Sequence, residues 1–320
     1  MKNLHFLLAA FLISLIIWGC SPGDKRTLED PEVITKDDAF RKTVKSGGFI
    51  KLSQGYTYYE FENLNADTVL VMVHGFSVPC YIWDSTFYAA KARGYAALRY
   101  DVYGRGYSDN PDVTYDAALY SGQLKELLDA LHVDKKVNLM GLSYGGRIIS
   151  AFAFQNPERI KNLIYVDPAG FETIPADSLY PLPVTDREIE DAKTGDYYRN
   201  MARGQMQDFY DTVPFTGWDK KYESFMKFKG FARALISTMR NSPSMEQEHR
   251  RIASLGLPVF AIWGEHDTVV ELEKVKGNLY DRIPEVELFV LPKAGHLPHM
   301  EQAQMFNSIL FDQIMCCEHP

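Results

Sequence analysis

The stretch Gly141-Leu-Ser-Tyr-Gly145 lies between an apolar run, residues 137–140, and a segment with helical spacing, residues 145–155. A serine between two glycines at a strand-to-helix junction occupies a sharp turn, because glycine permits close backbone approach on either side. Such a turn exposes the hydroxyl at a sheet edge, beside a helix N-terminus that favours developing negative charge. The pattern therefore predicts a nucleophile at Ser143, and the alternative is an ordinary helix N-cap serine.

Short apolar runs alternate with amphipathic segments along most of the chain. The run at residues 68–73 is continuous and β-branched, as expected of a strand that helices cover on both faces. Alternating strands and helices indicate a mostly parallel, doubly wound α/β sheet. The predicted strands are residues 68–73, 95–100, 137–140, 163–166, 258–263 and 286–291, and the predicted helices are 117–131, 145–155, 270–280 and 300–315.

A polar, helical insertion at residues 171–252 interrupts this alternation. We expect it to form a cap over one edge of the sheet, with residues 49–170 and 253–320 forming the core. The insertion is rich in aromatic side chains, some of which could line an apolar pocket while the others pack the cap on the core. The candidates for contact with a substrate are Phe171, Phe215 and Trp218.

Two further residues stand where a serine nucleophile needs them. A serine hydroxyl is activated by a base, and the base is oriented by a carboxylate; on this architecture the order is Ser, then Asp or Glu, then His. Asp267 and His296 each follow a predicted strand, in that order. Because parallel strands end at one edge of a sheet, the three side chains are predicted to meet there. Asp167, which ends an earlier strand, is the alternative acid.

Other polar residues of these loops carry less weight. His266 is expected to shape the loop that holds Asp267, and Glu265 is expected to be solvated. His299 forms a His-x-x-His pair with His296, but no Cys or His cluster has zinc spacing, so no metal is predicted. No G-x-G-x-x-G leads from a strand into a helix, and no dinucleotide cofactor is implied.

Length and composition restrict the class of protein. The chain has 320 residues, of which 46% are hydrophobic, and this excludes disorder as its main state. The net charge of -8 opposes binding to nucleic acid, which we exclude as a partner.

The first 20 residues form a leader of a different kind. An apolar run at residues 6–18 is too short to span a bilayer and suits the core of a signal peptide. Gly19 followed by Cys20 resembles a bacterial lipoprotein signal, which implies lipidation of Cys20 and attachment to a membrane of the cell envelope. An uncleaved anchor and a plain secretory signal are the alternatives. Residues 21–48 are expected to be a polar tether.

The motifs together resemble the α/β-hydrolase superfamily, in its capped esterase, lipase and C–C hydrolase branch, over about residues 49–315. The matching pieces are His74-Gly75-Phe76, residues 101–108, Gly141-Leu-Ser-Tyr-Gly145, Gly264-Glu-His-Asp267 and Gly295-His296. This resemblance implies that Ser143 is the nucleophile, His296 the general base and acid, and Asp267 the group that orients the imidazole. It also implies an oxyanion hole formed by the backbone N–H groups of Phe76 and Tyr144, and no cofactor.

The resemblance implies a serine hydrolase that cleaves small carboxylic esters, either short acyl esters or monoacyl lipids, through an acyl-enzyme. A C–C bond hydrolase or a perhydrolase would use the same three residues. A non-catalytic small-molecule receptor that keeps the fold is the alternative from another class.

Overall fold

The structure is a computed structural model that describes residues 32–174 and 183–316. The strands are β1 (Gly48–Leu52), β2 (Gly55–Glu62), β3 (Val69–Val73), β4 (Ala96–Tyr100), β5 (Val137–Leu142), β6 (Ile160–Val166), β7 (Val259–Gly264) and β8 (Glu287–Leu291). The helices are α1 (Asp38–Arg41), α2 (Asp84–Ala92), α3 (Ala117–Ala130), α4 (Tyr144–Gln155), α5 (Asp186–Thr194), α6 (Asp196–Gly204), α7 (Trp218–Phe225), α8 (Phe231–Arg240), α9 (Glu246–Ser254), α10 (Leu272–Arg282), α11 (Pro298–Glu301) and α12 (Ala303–Ser308).

The eight strands form one sheet in the order β1-β2-β4-β3-β5-β6-β7-β8. β2 pairs antiparallel with β1 and with β4, and every other neighbouring pair is parallel. The central strands β3 and β5 are buried along their whole length, which explains their nearly continuous apolar sequence. The predicted mostly parallel α/β sheet is confirmed, and the carboxyl ends of β5 to β8 lie side by side.

Each face of the sheet has its own apolar core. Neighbouring strand residues point to opposite faces, so Val71 belongs to one core and Met72 to the other. The first core includes buried side chains from α3, α4, α9 and α10. The second includes side chains from α2, α12 and the cap. Helices therefore cover both faces of the sheet, as a doubly wound fold requires.

The first two strands and the last helical segment differ from what the sequence predicts. The antiparallel strands β1 and β2 form one edge of the sheet and are only partly buried, so they lack the apolar runs that identify the inner strands. The helix predicted over residues 300–315 is broken at Gln302, where φ is -120° and ψ is 43°. It ends in π-helical turns at Ile309–Ile314.

Helices α5 to α8 form the cap, while α9 belongs to the core layer. His249 of α9 places Nε2 3.1 Å from the hydroxyl of Ser150 on α4, and Ile252 is buried in the first core. The expected cap, residues 171–252, therefore includes part of a helix that packs on the sheet side. Its polar sequence reflects the exposed face of α9, where Glu246 and Arg250 form an ion pair.

Residues 32–48, expected as part of a tether, instead pack on the cap and core. Ile34 exchanges backbone hydrogen bonds of 2.9 Å with Lys227 and Lys229. Glu32 accepts hydrogen bonds from the backbone N–H groups of Gly230 and Ala232, at 3.0 and 2.6 Å. These N–H groups begin α8 and have no partner within the helix. At Glu32, a polar residue of the expected tether therefore caps a helix.

The predicted leader, with the lipidation candidate Cys20, lies outside the described residues. Within residues 32–174 and 183–316, no helix combines the length and apolar character needed to cross a membrane.

Candidate active site

Ser143 occupies the sharp turn between β5 and α4. Its φ of 52° and ψ of -119° are strained for a residue with a side chain. The side chain makes no capping hydrogen bond to α4, so the N-cap alternative does not apply. A Cβ at Gly141 would lie 2.5 Å from the carbonyl oxygen of Gly145, and a Cβ at Gly145 would lie 2.5 Å from that of Val73. Both glycines are therefore required for a turn that leaves Ser143 partly exposed.

His296 and Asp267 are joined by a hydrogen bond between the loops that follow β8 and β7. Nδ1 of His296 lies 2.9 Å from Oδ2 of Asp267. The backbone N–H groups of Val269 and Val270 donate to Oδ1 of Asp267 at 2.7 and 3.0 Å, which fixes the carboxylate. With Nδ1–H donating to Asp267, Nε2 of His296 is left as a hydrogen-bond acceptor.

Burial and mutual attraction set the charges of this pair. Burial by itself lowers the pKa of His296, but the carboxylates of Asp267 and Asp208 raise the pKa above its ordinary value. Burial by itself raises the pKa of Asp267, yet the charge of His296 and the hydrogen bonds from His296 and from the N–H of Val270 hold this pKa below its usual range. The pair therefore favours an ionised Asp267 beside an imidazole that is more basic than a free one.

Two chain segments next to the serine carry the N–H groups of Phe76 and Tyr144. The loop after β3 approaches so closely that a Cβ at Gly75 would lie 3.8 Å from Oγ of Ser143. Tyr144 is the first residue of α4, so its N–H has no acceptor within the helix. Among the described residues neither N–H donates to a protein group. Both are therefore free to bind an oxygen that becomes negatively charged.

Two buried side chains hold the loop that carries Phe76. Nδ1 of His74 donates to the carbonyl oxygen of Gly75 at 2.9 Å, while its Nε2 accepts from the N–H of Val102 at 3.0 Å. Burial lowers the pKa of His74 to about 3, so the ring is neutral and suited to both roles. Nε of Arg105 donates to the carbonyl oxygen of Phe76. His74 therefore supports the loop and does not act as a second base.

The cap reaches the site through Asp208, at the end of the short 3₁₀ helix Gln205–Asp208. Its carbonyl oxygen accepts a 2.7 Å hydrogen bond from the backbone N–H of His296. Burial, followed by the field of Asp267, raises the pKa of its carboxyl group to about 7, while His296 acts in the opposite direction. Asp208 therefore adds a second carboxyl group near the imidazole.

Two of the three predicted aromatic contacts lie in a cluster next to Asp208. Phe215 stacks on the buried ring of Phe209 with centroids 4.2 Å apart, and Trp218 meets Phe209 edge-on at 5.9 Å. Trp218 also meets Tyr81, near the Phe76 loop, at 5.2 Å. Phe215 and Trp218 are only partly buried, so their remaining surface can contact a substrate.

The prediction that Phe171 contacts substrate is wrong. Its side chain is fully buried in the first core. It stacks on His249 with centroids 4.0 Å apart and meets Tyr165 edge-on at 5.4 Å. The aromatic composition of the insertion did not distinguish a packing residue at its start from a pocket residue in its middle.

The remaining histidines of these loops have structural contacts. Nε2 of His299 donates to the carbonyl oxygen of Ile82 at 3.0 Å. The ring of His266 stacks on Tyr210 with centroids 4.4 Å apart. His266 therefore links the Asp267 loop to the cap, in agreement with its expected role in shaping that loop.

Asp167 lies behind the acid–base pair. Its Oδ1 accepts a 2.9 Å hydrogen bond from the N–H of Gly264, at the end of β7. One ligand-type atom from each of Asp167, Asp267 and His296 lies within 4.8 Å of the others. Three such atoms can hold a metal ion, but Nδ1 of His296 and Oδ2 of Asp267 already face each other in a hydrogen bond. The arrangement fits a proton-sharing network better than a metal site.

Two residues of the site were not predicted from sequence. Asp208 lies in a polar part of the insertion, and only its backbone contact with His296 reveals its position. Arg105 lies in a glycine-rich loop, where its guanidinium donates to Thr238 of α8 at 3.1 Å as well as to Phe76. The sequence signal for Arg105 is its place between Gly104 and Gly106, which marks a tight loop but not its partner.

Residues 70–309, most of the chain, match the family model described as the Alpha/beta hydrolase family. The chain belongs to this family. Solved hydrolases share the fold of this chain. The esterase EaEST from Exiguobacterium antarcticum superposes with a TM-score of 0.68 at 21% identity, covering 84% of this chain and 99% of the esterase.

The α/β hydrolases similar to this chain in sequence differ in the reactions that their names state. Lipase 3 of Moraxella sp. is 25% identical over 254 residues, covering 76% of each protein. A 2-hydroxy-6-oxononadienedioate/2-hydroxy-6-oxononatrienedioate hydrolase of Paraburkholderia xenovorans is 25% identical over 282 residues, covering 82% of this chain and 93% of the relative. The family model establishes the family, and these relatives do not determine which bond this member cleaves.

Proposed function

We propose that this α/β hydrolase is a serine hydrolase that cleaves carboxylic esters through an acyl-enzyme. Ser143 is the nucleophile, His296 the general base and acid, and Asp267 the carboxylate that orients the imidazole. The observation that supports this most strongly is the strained turn at Ser143, with no capping hydrogen bond, at the same sheet edge as the 2.9 Å His296–Asp267 contact.

The proposed reaction proceeds in two halves. Nε2 of His296 takes the proton of the Ser143 hydroxyl as Oγ attacks the ester carbonyl, and the N–H groups of Phe76 and Tyr144 bind the resulting oxyanion. The imidazolium then protonates the leaving alcohol, and an acyl group remains on Ser143. Water, deprotonated by His296, releases the acid and restores the serine. Removing one oxyanion donor from such a site typically costs about 3–4 kcal/mol of transition-state stabilisation.

The aromatic side chains of the cap favour a substrate with a small, partly apolar acyl group. Phe215 and Trp218 offer aromatic surface beside the Asp208 segment. We therefore propose short acyl esters or monoacyl lipids as substrates, bound with the acyl group against these two rings.

C–C bond hydrolysis is the second candidate, because a named C–C hydrolase matches 82% of the chain. The same three residues would serve, and the two reactions differ in the group that leaves. A series of p-nitrophenyl esters of increasing acyl length, measured against a 2-hydroxy-6-oxo-dienoate, separates them. Ester turnover that disappears in Ser143→Ala supports the first candidate. Selective turnover of the dienoate supports the second.

We also propose that the chain is attached to a cell-envelope membrane through lipidated Cys20. The support is the apolar leader followed by cysteine in the sequence. Mass spectrometry of the mature N-terminus tests this. A chain that begins at Cys20 with an added acyl mass is expected, and an unmodified N-terminus would contradict the proposal.

A further inference from the structure

A second carboxyl group, that of Asp167, lies close to the acid–base pair. Asp167 follows β6 with φ of 41° and is completely buried. Its Oδ1 is used by the N–H of Gly264. The side chain also comes within 4.8 Å of ligand-type atoms of both Asp267 and His296. Asp167 is thus close enough to Asp267 to act on its carboxylate.

The other oxygen of Asp167 has a distinctive environment. Oδ2 is buried, and among the described residues no donor is directed at it. An ionised carboxylate there would add an unpaired buried charge beside the negative charge of Asp267, which is strongly unfavourable. A proton on Oδ2 removes this charge and turns the atom into a donor. Burial, together with the carboxylate of Asp267, accordingly raises the pKa of Asp167 well above its ordinary value.

We propose that Asp167 is a positioning residue: its protonated carboxyl group donates a hydrogen bond to Asp267 and keeps that carboxylate ionised and aimed at His296. This inference rests on the proposed roles of Asp267 and His296. Asp167 acts through Asp267 and not on the substrate.

The hydrogen bond has a predictable effect on the base. A donor stabilises Asp267 most when the imidazole is neutral, because the carboxylate then lacks a cationic partner. Loss of the donor therefore raises the pKa of His296 and moves the acid limb of the rate profile to higher pH. Were Asp167 ionised, removal of its charge would lower this pKa instead. The two other carboxyl groups that act on this network, Asp208 and Glu301, remain in place in both cases.

The matched variants are Asp167→Asn and Asp167→Ala, prepared in the full chain. The asparagine amide can still accept from Gly264 and donate to Asp267, whereas alanine can do neither. The rate of Ser143 labelling by a fluorophosphonate, measured from about pH 5 to 9, reports on the base without any assumption about the natural substrate. We expect Asp167→Asn to keep the rate within about threefold and to keep the acid limb. We expect Asp167→Ala to lose about tenfold or more, with the limb at higher pH.

Three outcomes would overturn the proposal, two in the pH profile and one in the infrared spectrum. A limb that moves to lower pH in Asp167→Asn would mean that Asp167 carries a charge, and an unchanged profile in Asp167→Ala would mean that it only fills space. Infrared difference spectra of wild type against Asp167→Asn provide a readout that requires no activity. A C=O band of a protonated carboxylic acid is expected in wild type alone, and its absence would refute the protonated state. Failure of wild type to react with the probe would count against the proposed function, while this band would still test Asp167.

Discussion

The backbone N–H of His296 donates a 2.7 Å hydrogen bond to the carbonyl oxygen of Asp208, which belongs to the cap. The neighbouring Gly295 lies so close that a Cβ there would be 2.5 Å from the same oxygen. The cap is therefore part of the framework that holds the imidazole. A substitution in the cap at this point is expected to change the chemistry of His296 as well as substrate binding.

Asp208→Asn is expected to move the acid limb of kcat/KM to lower pH. His296 must be neutral to accept the serine proton, and its raised pKa places the wild-type limb above about pH 6.5. Asp208, whose own pKa is about 7, is partly ionised over this range and contributes to the raised pKa of His296. Its removal therefore lowers the pKa of His296 and keeps the base neutral in more acidic solution. A shift of about half a unit is reasonable for one nearby carboxylate. Asp219→Asn, which removes the same charge from α7, is the control and should leave the limb in place.

Asp267→Asn is expected to keep the fold and to lower kcat by roughly 10⁴-fold, because the amide favours the wrong imidazole tautomer. Glu265→Gln, in the same loop with a side chain that is 52% exposed, should have little effect. Steady-state rates and thermal unfolding of both variants test this. Nearly normal turnover of Asp267→Asn would instead assign the orienting carboxylate to Asp167.

Gly145→Ala is expected to destabilise the protein by about 1–3 kcal/mol and to abolish activity, because its Cβ would lie 2.5 Å from the carbonyl oxygen of Val73. Gly122→Ala is the matched control, since no atom lies within 4 Å of a Cβ at this position in α3. Alanine at this helical position should stabilise the protein by up to about 1 kcal/mol. Chemical denaturation measures both, and equal stability of the two variants would contradict the tight turn.

Phe171 and Trp218 are expected to differ in the property that they control. Phe171→Ala should lower the free energy of unfolding by about 3–5 kcal/mol, because it removes a fully buried ring. Trp218→Ala should lower it less and should change the dependence of kcat/KM on acyl length. Phe171→Leu keeps an apolar side chain in the core. If the dependence of kcat/KM on acyl length changed in Phe171→Leu and stayed the same in Trp218→Ala, these assignments would be reversed.

The elements that carry the site were predictable from the sequence because each combines an apolar strand with a short motif at its end. Asp267 and His296 could be located in this way, since the end of a strand in a parallel sheet fixes at which edge the next loop lies. Phe171 was assigned wrongly because aromatic composition does not show whether a ring points into the core or into a pocket. The contact of Asp208 with His296 depends on how the cap folds back, and no local pattern encodes that path.

The closeness of Asp167 to Asp267 could also not be predicted from local sequence patterns. Its place after β6 suggested an alternative acid, but only the neighbouring position of β7 brings its carboxyl group behind Asp267. The packing of Glu32 on α8 is similar, because a helix N-terminus distant in sequence determines what the glutamate binds.

The most direct test of the central claim is reaction of the full chain with a fluorophosphonate, followed by peptide mass spectrometry. We predict a single adduct on Ser143, formed rapidly in wild type, absent in Ser143→Ala and strongly slowed in His296→Ala. An adduct on another residue, or none in correctly folded wild type, would contradict the assignment of Ser143 as an activated nucleophile.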